Sequence, residues 1–338
     1  MYIKTLIWLV LFANCTHSKT STMTAQTLPP SEHKKCISPS PLKKGDSVAI
    51  VAPAGILKGR HVAIEKAQAL LESWGLVPVL GPHLFAQNHH FAGEDSERLS
   101  DLQWALDRSD IKAIWCARGG YGSTRIIDDL NFDGFQKSPK WLIGYSDITA
   151  LHNALQNLGY QSIHGMMAVN MEDDLEHIST SIETLKASLF GALNSYTIAS
   201  HKLNRQGKAK GVLVGGNLTL LTAQLGSPTQ LNTQGTILFI EEIGEYKYHI
   251  DRMLQSLKRA GYFEHCTGVI IGNMSKIKTN TTAWGSSVEQ LITVALKAYD
   301  FPIAFGIPAG HELENRALIF GRNINLNISP TTTQISFE

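Results

Sequence analysis

Three polar residues stand where apolar runs end, and their types are those that hydrolysis needs. Ser146 follows Trp141-Leu142-Ile143-Gly144-Tyr145 and directly precedes an amphipathic stretch. Glu241 closes the run Thr236-Ile237-Leu238-Phe239-Ile240, and His311 follows a mostly apolar run over 303–310. In open α/β sheets such addresses, beyond the carboxyl ends of strands, are where loops and helix N-termini converge on a ligand. A serine on a sharp strand-to-helix turn projects its hydroxyl, and the next N–H, here that of Asp147, points at a developing oxyanion. Such a serine needs a base, and a histidine oriented by a carboxylate supplies one. The order Ser, Glu, His is also that of α/β-hydrolases. Gly144-x-Ser146 lacks the second glycine of GxSxG, because position 148 is isoleucine. Alone, such a pattern better describes a serine that merely starts a helix. A carboxylate abutting a long apolar run must be paired or functional, and Glu242 and Glu245 compete with Glu241 for that part.

Two glycine-rich segments add backbone chemistry. Gly119-Gly120-Tyr121-Gly122 lacks the GxGxxG spacing and the downstream acid of a dinucleotide site. A backbone that approaches a ligand, or completes an oxyanion hole, suits it better than a cofactor loop. Gly215-Gly216-Asn217 poses the same choice between ligand loop and structural turn. His311-Glu312 is not followed by the second histidine of HExxH, and His89-His90 and His164 have no evident ligand set, so no metal is assigned. The four cysteines (Cys15, Cys36, Cys116, Cys266) show neither metal-like spacing nor a disulfide framework.

Alternating strands and helices must position these groups. The apolar run 48–52 predicts a buried strand, and Ile64, Ala67, Leu70, Leu71 and Trp74 recur at helical spacing up to Gly75. An edge strand is expected over 77–80, a helix over 95–108, and strands over 111–117 and 141–143. The next helix places Ile148, Leu151, Leu155 and Leu158 on one stripe. Residues 172–210 break the rhythm with a polar helix and a less patterned stretch, and read as a connection. Strands then recur at 212–214, 236–240, 269–271 and 303–305 between helical stretches, and 317–337 reads as short strands with turns. This alternation predicts two α/β domains, the first a mostly parallel sheet covered by helices. The expected boundaries are 45–166 and 210–338, joined by 167–209.

The chain has 338 residues, 43% apolar and 17% charged, with a net charge of +1. That composition excludes a disordered or multi-span membrane protein, and the charge balance argues against a nucleic-acid partner. Lys4 precedes the apolar stretch 6–13, and a Ser/Thr/Pro-rich spacer follows to about residue 41. The start reads as a secretory signal too short to span a bilayer in the ordinary way. It predicts the cell envelope or periplasm, with Cys15 a candidate lipid-attachment site; a cytoplasmic protein is the alternative.

Together these segments resemble the LD-carboxypeptidase family of serine peptidases, which includes muramoyltetrapeptide carboxypeptidases and microcin-immunity proteins. The resemblance rests on Ala49-Ile50-Val51-Ala52-Pro53-Ala54-Gly55, Arg118-Gly119-Gly120-Tyr121-Gly122, Gly144-Tyr145-Ser146-Asp147, Gly215-Gly216-Asn217-Leu218, Leu238-Phe239-Ile240-Glu241-Glu242 and Gly310-His311. It implies Ser146 as nucleophile in a triad with His311 and Glu241, the last in preference to Glu242. It implies an oxyanion hole from the N–H groups of Asp147 and Gly120, with Arg118, Gly119, Tyr121 and Asn217 as substrate-binding candidates. By the same resemblance the first domain carries the serine and the second the glutamate and histidine, with the site at their interface. A homodimer without cofactor, acting on murein tetrapeptides, is the implied assembly and activity. Glu241-Glu242 departs from the family's more usual Glu-Asp, and the signal-like start is unusual for enzymes of murein recycling. The expected reaction is hydrolysis of the amide between a diamino acid and a terminal D-alanine. The alternatives are an amide hydrolase of the microcin-immunity type, acting on aminoacyl or peptidyl nucleotide conjugates, and a non-catalytic two-domain binding protein.

Overall fold

A computed structural model describes residues 36–338. The signal-like stretch, with Cys15, lies outside the described residues. Among the described residues no helix is long and apolar enough to cross a membrane.

The first half of the chain runs β1 (Ser47–Val51), α1 (His61–Ser73), β2 (Val77–Leu80), α2 (Asp95–Asp107), β3 (Ile111–Cys116), α3 (Asp133–Lys137), β4 (Trp141–Gly144), α4 (Thr149–Asn157) and β5 (Ser162–His164). Next come α5 (Ser179–Leu189) and β6 (Ser195–Ala199). The second half runs β7 (Gly207–Asn217), α6 (Leu218–Ala223), β8 (Thr236–Ile243), α7 (Lys247–Arg259), β9 (Gly268–Ser275) and α8 (Val288–Ala295). It ends with β10 (Ile303–Ala304), β11 (Leu318–Phe320), β12 (Asn323–Ile328) and β13 (Thr332–Phe337).

Two mixed sheets result. The first has the order β11-β5-β4-β3-β1-β2, the second β10-β9-β8-β7-β12-β13-β6. The helix-joined neighbours β1/β2, β3/β4, β4/β5, β7/β8, β8/β9 and β9/β10 all pair in parallel, and the apolar runs of β1, β3 and β4 are buried on both faces. Ala49, Val51, Ile114 and Leu142 pack against Leu102 and Leu106 of α2 and Leu151 and Leu155 of α4. Val48, Ile50 and Trp115 face the other way, into a core that also holds Leu213, Phe239, Leu318 and Phe320 from the second half. This is the two-domain α/β fold that the strand–helix rhythm predicts.

Three readings of the sequence change. The stretch 172–210 contributes more than a connection: α5 buries Leu185 and Leu189, and β6 forms an edge of the second sheet by pairing with β13. Gly215-Gly216-Asn217 is not a loop but the end of β7, paired with Phe239, Ile240 and Glu241 of β8. Leu158, placed on the buried stripe, is 39% exposed, because α4 has ended before it. A further feature lies beyond periodicity: β11 returns from the second half to pair antiparallel with β5 of the first sheet, Leu318 opposite His164.

Candidate active site

β4 delivers Ser146 at its carboxyl end. The turn is tight enough that a Cβ on Gly144 would lie 2.8 Å from the side chain of Ile148, which therefore covers that glycine. Ser146 takes φ +64, a left-handed conformation that non-glycine residues avoid and that recurs at functional turns. A single 3-10 turn over Ser146–Ile148 then opens into α4. The turn is clamped from its own side chain: buried Asp147 accepts the N–H of Ser123 at 2.7 Å through Oδ2. Burial pushes the Asp147 carboxyl up, and the bond from Ser123 works against that rise.

Ser123 ends the glycine loop, so this bond ties serine turn and loop together. The loop is held from its other side by the buried guanidinium of Arg98, which donates to the carbonyls of Gly122 at 2.9 Å and Pro53 at 2.7 Å. Gly55 donates to the carbonyl of Gly119 at 2.9 Å. A Cβ on Gly119 would sit 3.0 Å from Ser146 Cβ and 3.3 Å from its Oγ, so only glycine lets this backbone lie against the serine. Gly120, at φ +100, turns the loop there.

The second half supplies the other two groups. β8 does not stop at Ile240 but continues to Ile243, with a register shift after Ile240, so Glu241 stands on a strand and is fully buried. His311 follows Gly310, whose φ of +133 and whose clearance from Glu241 (an added Cβ would lie 3.1 Å from Oε2) both call for glycine. The His311 ring donates Nδ1–H to Glu241 Oε2 at 2.7 Å, the tautomer being fixed by the carboxylate. Nε2 is then the ring nitrogen open to a second partner. Tyr145 packs edge-on against the same ring, centroids 4.8 Å apart, and burial pushes its phenol up to about 12.

Ser146 and His311 line one cavity of about 500 Å³ together with Arg118, Gly119 and Gly120. The structure thus brings together the serine, its histidine and the glycine loop. Tyr121 and Asn217 are not among the residues that line this cavity. Tyr121 is 48% exposed and leans on Phe91, centroids 5.8 Å apart. The Asn217 side chain is spent on structure, accepting the N–H of Leu220 as the cap of α6 and donating to Glu242 Oε1 at 3.1 Å. Sequence reasoning missed four charged residues of the cavity wall: Arg60, Glu172, Asp173 and Lys276. They lie in stretches without apolar periodicity or motif, and only the fold gathers them. Arg60 pairs with Glu172 at 3.2 Å.

Buried carboxylate, histidine and strained serine beside a close-lying glycine loop are the parts of an acyl-transfer site. The chain matches the model of the LD-carboxypeptidase N-terminal domain over residues 48–165. It matches that of the LD-carboxypeptidase C-terminal domain over residues 210–326. It is 35% identical to the "Probable murein peptide carboxypeptidase" of Bacillus subtilis (strain 168) over 301 residues, 88% of this chain and 93% of that one. Identity to the "Murein tetrapeptide carboxypeptidase" of Pseudomonas aeruginosa is 31% over 287 residues, 81% of this chain and 91% of that one. The crystal structure of a muramoyltetrapeptide carboxypeptidase from Oxalobacter formigenes superposes with a TM-score of 0.77 at 26% identity, covering 86% of this chain and 98% of the other. The microcin C7 self-immunity protein MccF shares the fold, with a TM-score of 0.80 at 20% identity over 90% of this chain and 99% of its own. The chain belongs to the LD-carboxypeptidase family and is a serine-type carboxypeptidase.

Proposed function

We infer that the protein hydrolyses the amide bond joining a diamino acid to the terminal D-alanine of murein tetrapeptides. Ser146 is the nucleophile, His311 the general base and then acid, and Glu241 the group that orients the imidazole. The observation that carries this reading is the 2.7 Å bond from His311 to fully buried Glu241, made by a histidine that lines the same cavity as left-handed Ser146. Two relatives named for murein peptides, 35% and 31% identical, support the choice of substrate.

His311 Nε2 takes the proton as Ser146 Oγ attacks the carbonyl carbon, and the carbonyl oxygen becomes an oxyanion. The N–H groups of Asp147 and Gly120 receive that charge. Glu241 stabilises the imidazolium without taking its proton. The histidine then protonates the leaving amine, D-alanine departs, and water resolves the acyl-enzyme by the same route. The basic start and apolar stretch over 6–13 support a place in the cell envelope, and we assign the working form as a homodimer; cell fractionation and sedimentation test these two points.

The direct test is incubation with murein tetrapeptide. Free D-alanine and the tripeptide are expected, and Ser146→Ala lowers the rate by three orders of magnitude or more, as loss of a triad nucleophile does. Full activity in that variant sinks the assignment. An aminoacyl-sulfamoyl adenosine run in parallel separates the microcin-immunity chemistry, which predicts turnover of that conjugate and none of the tetrapeptide.

A further inference from the structure

A carboxypeptidase reads a free chain end, so its cavity must hold a carboxylate that an internal peptide bond lacks. Three cations line the cavity with Ser146 and His311: Arg60, Arg118 and Lys276. Two are engaged within the protein. Arg60 pairs with Glu172 at 3.2 Å, and Arg118 donates to the carbonyl of Ile56. Lys276 has no ion-pair or hydrogen-bond partner among the described residues.

The backbone at Lys276 is also unusual. It takes φ +49, and Ser146 and His89 are the other non-glycine residues with positive φ among the described residues. A lysine gains nothing locally from that conformation. It does turn the chain immediately after β9, whose last residue, Ser275, accepts the N–H of Gly244 at 2.9 Å. The residue beyond the strand is thereby set at the cavity wall.

The wall it occupies decides which substrate group it meets. Lys276 and Ile243 stand at the carboxyl ends of β9 and β8, on the second-sheet side that also supplies Glu241 and His311. Arg60, Arg118, Glu172 and Asp173 come from the first half of the chain. His311 must hand its proton to the departing amine, so the leaving amino acid lies on the histidine's side of the scissile bond. That side of the cavity is lined by the uncommitted Lys276 and by Ile243.

We propose that Lys276 is the anchor for the substrate's terminal carboxylate and sets the preference for a free chain end. This rests on the carboxypeptidase reading above. The test compares the wild-type protein, Lys276→Met and Lys276→Arg on murein tetrapeptide and on the same peptide with its C-terminus amidated. The wild type is expected to prefer the free acid. Lys276→Met raises KM for the acid about tenfold, leaves kcat within a few-fold, and cuts the acid-to-amide ratio of kcat/KM by about tenfold, while Lys276→Arg keeps most of the preference. A general packing defect lowers turnover of acid and amide alike and leaves the ratio in place. An unchanged ratio in Lys276→Met, with Ser146 still labelled by a serine-directed phosphonate, overturns the assignment alone. A wild-type protein that releases neither D-alanine nor its amide overturns the carboxypeptidase reading and the anchor together.

Discussion

Glu241 and Glu242 share a strand, near-complete burial and a carboxylate, and differ in what surrounds them. Glu242 accepts the N–H and the hydroxyl of Thr219, each at 2.8 Å, through Oε2, and the N–H of Ile243 at 2.7 Å and the Asn217 amide at 3.1 Å through Oε1. It thereby satisfies an N–H in the first turn of α6 that has no intrahelical partner. Glu241 gives one oxygen to His311, and its other, Oε1, is buried without a partner among the described residues. Desolvation, and then the charge of Glu241, push the Glu242 carboxyl up. Glu241→Gln is therefore expected to lower kcat by about 10² to 10⁴, because an amide does not hold the imidazolium. Glu242→Gln is expected to keep kcat within about tenfold and to lose roughly 1–3 kcal/mol of stability from its broken bonds. Steady-state kinetics and denaturant melts of the two variants check the contrast. The sequence placed both acids at the end of one apolar run but left Glu241, Glu242 and Glu245 open. What separates them is partners distant in sequence, His311 for one and Asn217 with Thr219 for another, while Glu245 bonds His249 on α7 at 2.5 Å.

At the scale of elements, α5 bears on the histidine. Ser181 of α5 accepts the N–H of Asn315 at 2.8 Å through its hydroxyl, and Thr184 accepts that of Ala317 at 3.1 Å. Asn315 in turn accepts the N–H of Gly310 at 3.0 Å. The segment after His311 is thus fastened to a helix that the sequence assigned to a connection. Asn315→Ala removes the link to Gly310, and we expect kcat to fall about tenfold with KM little changed, since misplacement of the base affects the chemical step. Single-turnover kinetics of D-alanine release measure it. α5 was legible as a polar helix but not as part of the core, because its buried positions include Ser181, Thr184 and Ser188 beside its leucines. β7 misled in the opposite way. Its glycines suggested a loop, yet they mark close approach: a Cβ on Gly215 would lie 1.9 Å from the Phe239 carbonyl oxygen, and one on Gly216 2.5 Å from the Thr149 side chain.

Across the molecule, titration of the core sets an acid limit. His152 is fully buried, and its ring donates Nε2–H to the Gly144 carbonyl at 2.9 Å while Nδ1 faces the Ser162 hydroxyl at 2.8 Å. Burial lowers its pKa from 6.5 to about 4, and burial with the nearby rings of His152 and His311 drives His164 down as well. Between those values the unfolded chain binds a proton that folded His152 refuses, so stability falls as pH drops from about 6.5 towards 4. The loss from His152 is on the order of 3 kcal/mol and is absent above neutrality. Asp147 and Glu242, raised by burial, oppose it as they take up protons in the folded state. Urea melts at pH 7 and pH 4.5 are expected to show the net loss, and His152→Gln to show a shallower slope; equal slopes in both proteins would contradict this account. Fold class and family were legible at this scale, because strand–helix alternation and six short motifs in order are long-range signals written locally. The closure of the first sheet was not. No local pattern tells β11, three apolar residues, that its partner is β5.

That closure also orders events in time. A ribosome makes β1 to β5 long before it reaches Leu318, so the emerging first half carries β5 as a bare edge beside a nearly finished sheet. Unpaired edges invite strands from other chains. Throughout elongation the growing polypeptide is therefore exposed to mispairing at β5, and relief comes only when the final segment has been translated. Premature termination just before Leu318 would keep every proposed catalytic residue in the chain and still yield a protein prone to aggregate.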